Sequence, residues 1–149
     1  MKTNQLATIF ISLLFLLNSC EKNAEIGNEN FLQKEWKAQY VVNEGKRFNV
    51  PTDRTPLKEA YILKFVNDTC FALPTSVNLG GGKYQLASEN CMIISDYFGT
   101  KKGNVSVHQS NFDSQLLSVF NGAMSYSYTQ KELIFRGKEG NEVIFRNIR

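Results

Sequence analysis

The chain has 149 residues, 42% hydrophobic and 21% charged, the balance of one globular domain and not of a disordered or fibrous chain. Seventeen Lys and Arg against 14 Asp and Glu leave a formal charge of +3, too small to mark a nucleic-acid partner. A single histidine, His108, has no second ligand or base at a recognisable spacing, and no G-x-S-x-G elbow occurs, so no catalytic, metal or cofactor site is expected.

In chain order, the first element is a leader over residues 1–19. Lys2 precedes an uncharged run from Leu6 to Leu17, followed by the small polar pair Asn18 and Ser19, which is the layout of a secretory signal peptide. Twelve residues fall short of the roughly 20 needed to span a bilayer. Leu17-Asn18-Ser19-Cys20 resembles the bacterial lipobox, with Leu three positions before Cys and a small residue just before it. That resemblance implies cleavage before Cys20 and acylation of its thiol, which is then unavailable for disulfide or metal chemistry. Loss of Lys2 with the leader leaves two more basic than acidic side chains in the mature chain. The expected address is the bacterial cell envelope, where several acyl chains hold a protein stably to the membrane. By resemblance to lipoprotein sorting, Glu21 in place of Asp after the lipidated cysteine favours the outer membrane; periplasmic and surface-facing orientations stay open. Residues 20–30 read as a flexible tether, because "EKNAEIGNEN" has too little to bury to offset ordering.

From Phe31 onward the punctuation is that of β structure, short alternating runs separated by turn residues. Trp36, Ala38, Tyr40 and Val42 alternate with Lys37 and Gln39 and are followed by the turn Asn43-Glu44-Gly45. A short run from Arg47 to Val50 stops at Pro51, which cannot donate to a ladder. Tyr61, Leu63 and Phe65 form a third strand, and Asn67-Asp68-Thr69 turns the chain into a fourth over Cys70 to Leu73. Ser88-Glu89-Asn90 separates runs over Lys83 to Ala87 and Cys91 to Tyr97. Met124 to Thr129, Glu132 to Arg136 and Glu142 to Arg146 predict a three-strand meander, with the repeated Ile-Phe-Arg at 134 and 144 on two arms of one hairpin.

One segment follows a helical period. Phe112, Leu116, Val119 and Phe120 recur at i, i+4, i+7 and i+8, which predicts a helix over about residues 111–120 whose apolar stripe covers a sheet. Ser110 with Asp113 resembles a capping box, and Gly122 offers a stop.

Three features invite chemistry. "NLGGGKY" is glycine-rich, but Tyr84 follows Lys83 where a phosphate loop requires Ser or Thr, so a turn or bulge between strands is expected. Cys70 and Cys91 remain once Cys20 is acylated; a disulfide between them and two free thiols both stay open. Tyr126 and Tyr128 share a strand face, where they serve either the core or an aromatic ligand wall.

The chain from about Leu32 to Ile148 resembles the META domain (HslJ-like) family of envelope lipoproteins and heat-inducible proteins. The residues that carry the likeness are Trp36, the Leu63 and Phe65 strand, Asn78 with Gly82 and Tyr84 at fixed offsets, Thr100, helical Phe112 and Leu116, and the ending "ELIFRGKEGNEVIF". Where many members have a pair of cysteines, this chain has Val77 and Asn104, so that bridge is lost as a unit. The resemblance implies a single domain over 31–149, a compact antiparallel β structure, partly barrel-like, with one packed helix.

Two roles follow as expectations. The first is a non-enzymatic envelope module that binds another envelope protein or supports envelope integrity under stress. The second is a lipocalin-like carrier of a small hydrophobic ligand. An enzyme built on dispersed carboxylates ranks below both.

Overall fold

A 3-10 turn over Phe31–Gln33 leads into nine strands and one α-helix, described by a computed structural model over residues 31–55, 57–100, 103 and 105–149. The leader, Cys20, the tether and Asn104 lie outside the described residues. In chain order the elements are β1 (Glu35–Asn43), β2 (Lys46–Asn49), β3 (Ile62–Phe65), β4 (Cys70–Ala72), β5 (Gly80–Ser88) and β6 (Cys91–Gly99). They are followed by α1 (Val107–Val119), β7 (Gly122–Tyr128), β8 (Glu132–Arg136) and β9 (Glu142–Asn147).

Each strand pairs antiparallel with its neighbours, and β1 closes the sheet into a ring by bonding β9 along one edge. Its other edge is shared, β3 taking Glu35 to Lys37 and β2 taking Tyr40 to Asn43. Eight strands therefore form an up-and-down barrel, with β2 folded back outside it. Closure removes the sheet edges that would otherwise pair with other chains. It also sets what stands inside. Trp36 and Ala38 face inward, but a register shift between Ala38 and Tyr40 transfers the inward position to Val41. Tyr40 and Val42, expected to share the buried face with Trp36, are only half-buried for that reason, and the Tyr40 ring lies 3.6 Å from the Arg47 guanidinium.

The glycine run is part of β5 and not a link between strands. The β5–β6 register shifts between Gly81 and Lys83, so the bulge is real but lies within the strand. A Cβ on Gly81 would lie 2.3 Å from the Phe71 carbonyl oxygen, and one on Gly82 would lie 2.8 Å from that of Ser95. Only a residue without a side chain lets β4, β5 and β6 approach this closely.

Helix α1 starts four residues earlier than the apolar stripe indicates. Its cap is Ser106, whose Oγ accepts from the Gln109 amide at 3.2 Å while the Gln109 side chain accepts from the Ser106 amide at 3.1 Å. Ser110 and Asp113, read from sequence as the capping pair, are both inside the helix. The stripe itself is as expected: Phe112, Leu116 and Val119 are buried, and Phe120 follows them into the barrel. The Phe120 ring meets Phe71, Phe135 and Phe145 edge-on at 5.5, 5.0 and 5.9 Å, so rings from three strands and the helix end form one cluster. Burial of such side chains contributes about 1.5–3 kcal/mol each. Together with Trp36, Leu63, Met92 and Leu116, all fully buried, they occupy the barrel interior.

A second tie between helix and barrel is polar. Tyr61 Oη donates to Asp113 Oδ1 at 2.8 Å and Ser76 Oγ donates to Asp113 Oδ2 at 2.5 Å, with the Ser76 amide at 3.3 Å. Tyr61 holds a left-handed φ of 65°, a conformation costly for an aromatic residue, and its amide is fixed by the Pro74 carbonyl at 2.6 Å. Burial, then the Asp113 carboxylate, raises the Tyr61 hydroxyl far above the usual tyrosine range. This end of the barrel is thus covered by α1. At the other end Phe31 lies against Phe65, Tyr126 and Tyr128, its carbonyl accepting from Trp36 Nε1 at 2.9 Å.

Candidate functional site at the open edge of β7

Among the described residues several strands run past their neighbours: Gln85 to Ser88 of β5 beyond β4, Ser95 to Gly99 of β6 beyond β7, and the end of β7 beyond β6. Strand β6 pairs with β7 only from Gly122 to Ser125, because β6 begins at Cys91 opposite Ser125. The Tyr126 amide still reaches the Asn90 carbonyl, at 3.0 Å, in the turn between β5 and β6. Beyond it β7 continues to Tyr128 with β8 on one side and, among the described residues, no strand on the other. Backbone groups alternate along a strand, and the Thr129 amide points to β8, where it bonds the Glu132 carbonyl at 2.8 Å. The N–H and C=O of Tyr128 therefore face the opening.

A groove of about 690 Å³ occupies this place. Its lining includes side chains from both faces of the same strand, Tyr126 and Tyr128 from the inner side and Ser125 and Ser127 from the outer. A cavity that touches both faces of a strand has to run across its edge. Phe31 completes the apolar floor, with ring centroids 5.0 Å from Tyr126 and 4.8 Å from Tyr128. Glu89 and Asn90 from the β5–β6 turn and Glu132 and Ile134 from β8 complete the walls.

The charged residues of the lining are Glu89, Glu132 and Arg136, and Arg146 of β9 stands opposite Glu132 in register. Arg136 lines the groove, but its guanidinium is already engaged, donating to Glu142 at 2.9 Å and to Ser127 Oγ at 3.0 Å. Glu89 and Glu132 are exposed and have no ion-pair partner among the described residues. Burial, then the fields of Tyr128 and Glu89, raises the Tyr126 hydroxyl, which stays protonated and able to donate at neutral pH. The arrangement offers an apolar floor, a hydroxyl donor, unpaired carboxylates and an open backbone edge. It is equipped to bind.

Other residues singled out by sequence are dispersed. Cys70 and Cys91 are both free thiols. They flank β5 on opposite sides, Cys70 opposite Lys83 and Cys91 opposite Ser88. Two strand spacings, about 9.5 Å, and five residues along β5, about 16 Å, separate them. A disulfide requires Cα atoms within about 7 Å, so the bridge considered from sequence is not formed. His108 is exposed in the first turn of α1. Lys83, the cation of the glycine-rich run, pairs with Asp96 at 3.1 Å on the barrel exterior. Among the described residues no three His, Cys, Asp or Glu side chains gather where they could hold a metal ion. Tyr126 and Tyr128, by contrast, do line one site. What sequence reading missed is Phe31, Glu89 and Glu132, which reach the same groove from three other elements.

No family model and no curated protein matches the chain. Among solved structures it is similar to an NMR structure of a protein from Burkholderia xenovorans, with a TM-score of 0.57 at 12% identity over 78% of this chain and 83% of the other. A second NMR structure gives a TM-score of 0.55 at 12% identity, covering 77% and 89% respectively. At that identity the likeness is one of fold alone.

Proposed function

We propose that the chain is a non-enzymatic, META-like lipoprotein of the bacterial cell envelope, held by acylated Cys20 in the outer membrane, whose barrel carries a protein-binding groove at the open edge of β7. The observation that carries this reading is the groove itself, where a strand edge, an aromatic floor and exposed carboxylates coincide. Its wall includes Phe31, which in sequence directly follows the expected tether. Ten residues separate Cys20 from Phe31, and a flexible chain of that length has a reach of roughly 17 Å. A partner bound there is one that works at the membrane surface.

A photo-crosslinking residue placed at Ser127 tests this in whole cells, with the exposed Phe98 at the opposite end of β6 as reference position. The expected result is a reproducible envelope protein trapped from Ser127, absent from Phe98 and lost when Cys20→Ala removes the anchor. Equal products from both positions, or none from Ser127, would overturn it.

The groove also supports a second reading, a carrier of a small hydrophobic ligand, because 690 Å³ lies within the range of ligand pockets. The site would be this exterior groove, since the barrel interior is occupied by its own side chains. Extraction of the purified lipoprotein and mass spectrometry of co-purifying lipids check it; a lipid recovered from wild type and equally from Tyr128→Glu would count against the groove as its site.

A further inference from the structure

The geometry points to an extended peptide, alternating apolar and polar with basic residues among the polar positions, as the ligand of the β7 edge, which it would join as an added strand. This rests on the binding reading above and names the class of partner that reading leaves open.

The argument begins with the backbone. Tyr128 directs its N–H and C=O away from β8, into a groove and not into another described strand. Unpaired strand edges recruit strands, because every second residue offers a neighbour a donor and an acceptor that water otherwise solvates, and here Tyr128 offers that pair. A globular ligand or a lipid headgroup cannot match this pattern; an extended main chain can.

Side-chain chemistry then selects the sequence. A strand lying against β7 would send alternate side chains to opposite faces. On the inner face they would meet Phe31, Tyr126 and Tyr128, which accept aliphatic or aromatic groups. On the outer face and at the rim they would meet Ser125, Ser127, Glu132 and Glu89. The only cation in the lining, Arg136, is held by Glu142, so the groove presents carboxylates that complement Lys or Arg. An acidic peptide would face two unpaired carboxylates and be repelled.

The test uses the mature chain with Cys20→Ser and a fluorescein-labelled octapeptide, Lys-Val-Thr-Phe-Lys-Val-Thr-Lys, by fluorescence anisotropy. Saturable micromolar binding is expected. N-methylation at the central Phe nitrogen should abolish it, and replacing every Lys by Glu should do the same. Glu89→Lys and Glu132→Lys should each weaken binding about fivefold, with Glu44→Lys at the far end of the barrel unchanged. Equal binding of the N-methylated peptide would overturn strand addition in favour of simple apolar adsorption. Displacement of the probe by a peptide of residues 21–30 would assign the edge to the chain's own tether, and a dimer lost on peptide addition would assign it to a second copy; either overturns the proposal. If the peptide fails to bind while Ser127 still traps a protein in cells, the strand-addition mode falls and the groove stands as the binding site. If Ser127 also traps nothing, both fall.

Discussion

Replacing Asp113 by Ala removes the acceptor on which two fully buried groups depend, and the structure gives the cost a scale. Tyr61 and Ser76 are 1% and 0% exposed, and both hydroxyls donate to Asp113, at 2.8 and 2.5 Å. A buried donor left without an acceptor costs about 1–3 kcal/mol. Two such donors, less whatever a water admitted to the cavity recovers, give an expected loss of about 2–5 kcal/mol. That is a large part of the roughly 5–15 kcal/mol net stability usual for a domain. Trp36 is the single tryptophan and is fully buried, so its fluorescence reports urea unfolding directly. The triple variant Tyr61→Phe, Ser76→Ala, Asp113→Ala removes both orphaned hydroxyls, leaving only the Ser76 amide without its acceptor, and should recover at least half of the loss. A single-variant loss below about 1 kcal/mol at unchanged m-value, or a triple variant no more stable than Asp113→Ala, would refute the claim that this carboxylate ties α1 to the barrel.

Phe120→Ala should cost about 3–5 kcal/mol and Phe120→Leu clearly less, because the ring fills the space between Phe71, Phe135 and Phe145; chemical denaturation of both variants checks the order. Gly81→Ala puts a methyl 2.3 Å from a backbone oxygen and should destabilise by several kcal/mol, while Gly103→Ala, with nothing within 4 Å, should be near neutral, as thermal melts would show. Burial, then the Asp113 charge, pushes the Tyr97 hydroxyl up to about 12, and Tyr84 and Tyr126 are also raised. Unfolded tyrosines ionise near pH 10. Above that pH the unfolded chain binds fewer protons than the native one, so stability is complete below about pH 10 and falls towards pH 12. Tyr97→Phe should reduce that fall, and an alkaline profile identical to wild type would show that Tyr97 does not contribute to it. Alkylation without reductant should label both Cys70 and Cys91; a mass deficit equal to two labels would contradict the separation of β4 and β6.

Much of the architecture is local and therefore readable from the chain. Asn67 takes the Thr69 and Cys70 amides on its own Oδ1 at 2.9 and 2.8 Å, so the turn before β4 is written in three adjacent residues. The two Ile-Phe-Arg copies face one another, Ile134 opposite Ile144, as hairpin arms must. Spacing places Phe112, Leu116 and Val119 on one stripe whatever the helix packs against. By local sequence Asp113 fits half of a helix cap, because it is a carboxylate three residues after a serine. Only Tyr61, 52 positions earlier, and Ser76 make it a cross-tie.

The chain alone determined that residues 31–149 hold a small, β-rich domain with one helix, because period and turn chemistry act over a few residues. Tertiary structure decided the rest. Register is a relation between strands, so the bulge at Ala38 and Tyr40, the closure of β1 on β9 and the distance between Cys70 and Cys91 have no local signature. The same holds for the groove: β7 is left open past Tyr126 only because β6 starts opposite Ser125, and Phe31, Glu89 and Glu132 meet there because the barrel brings its ends together.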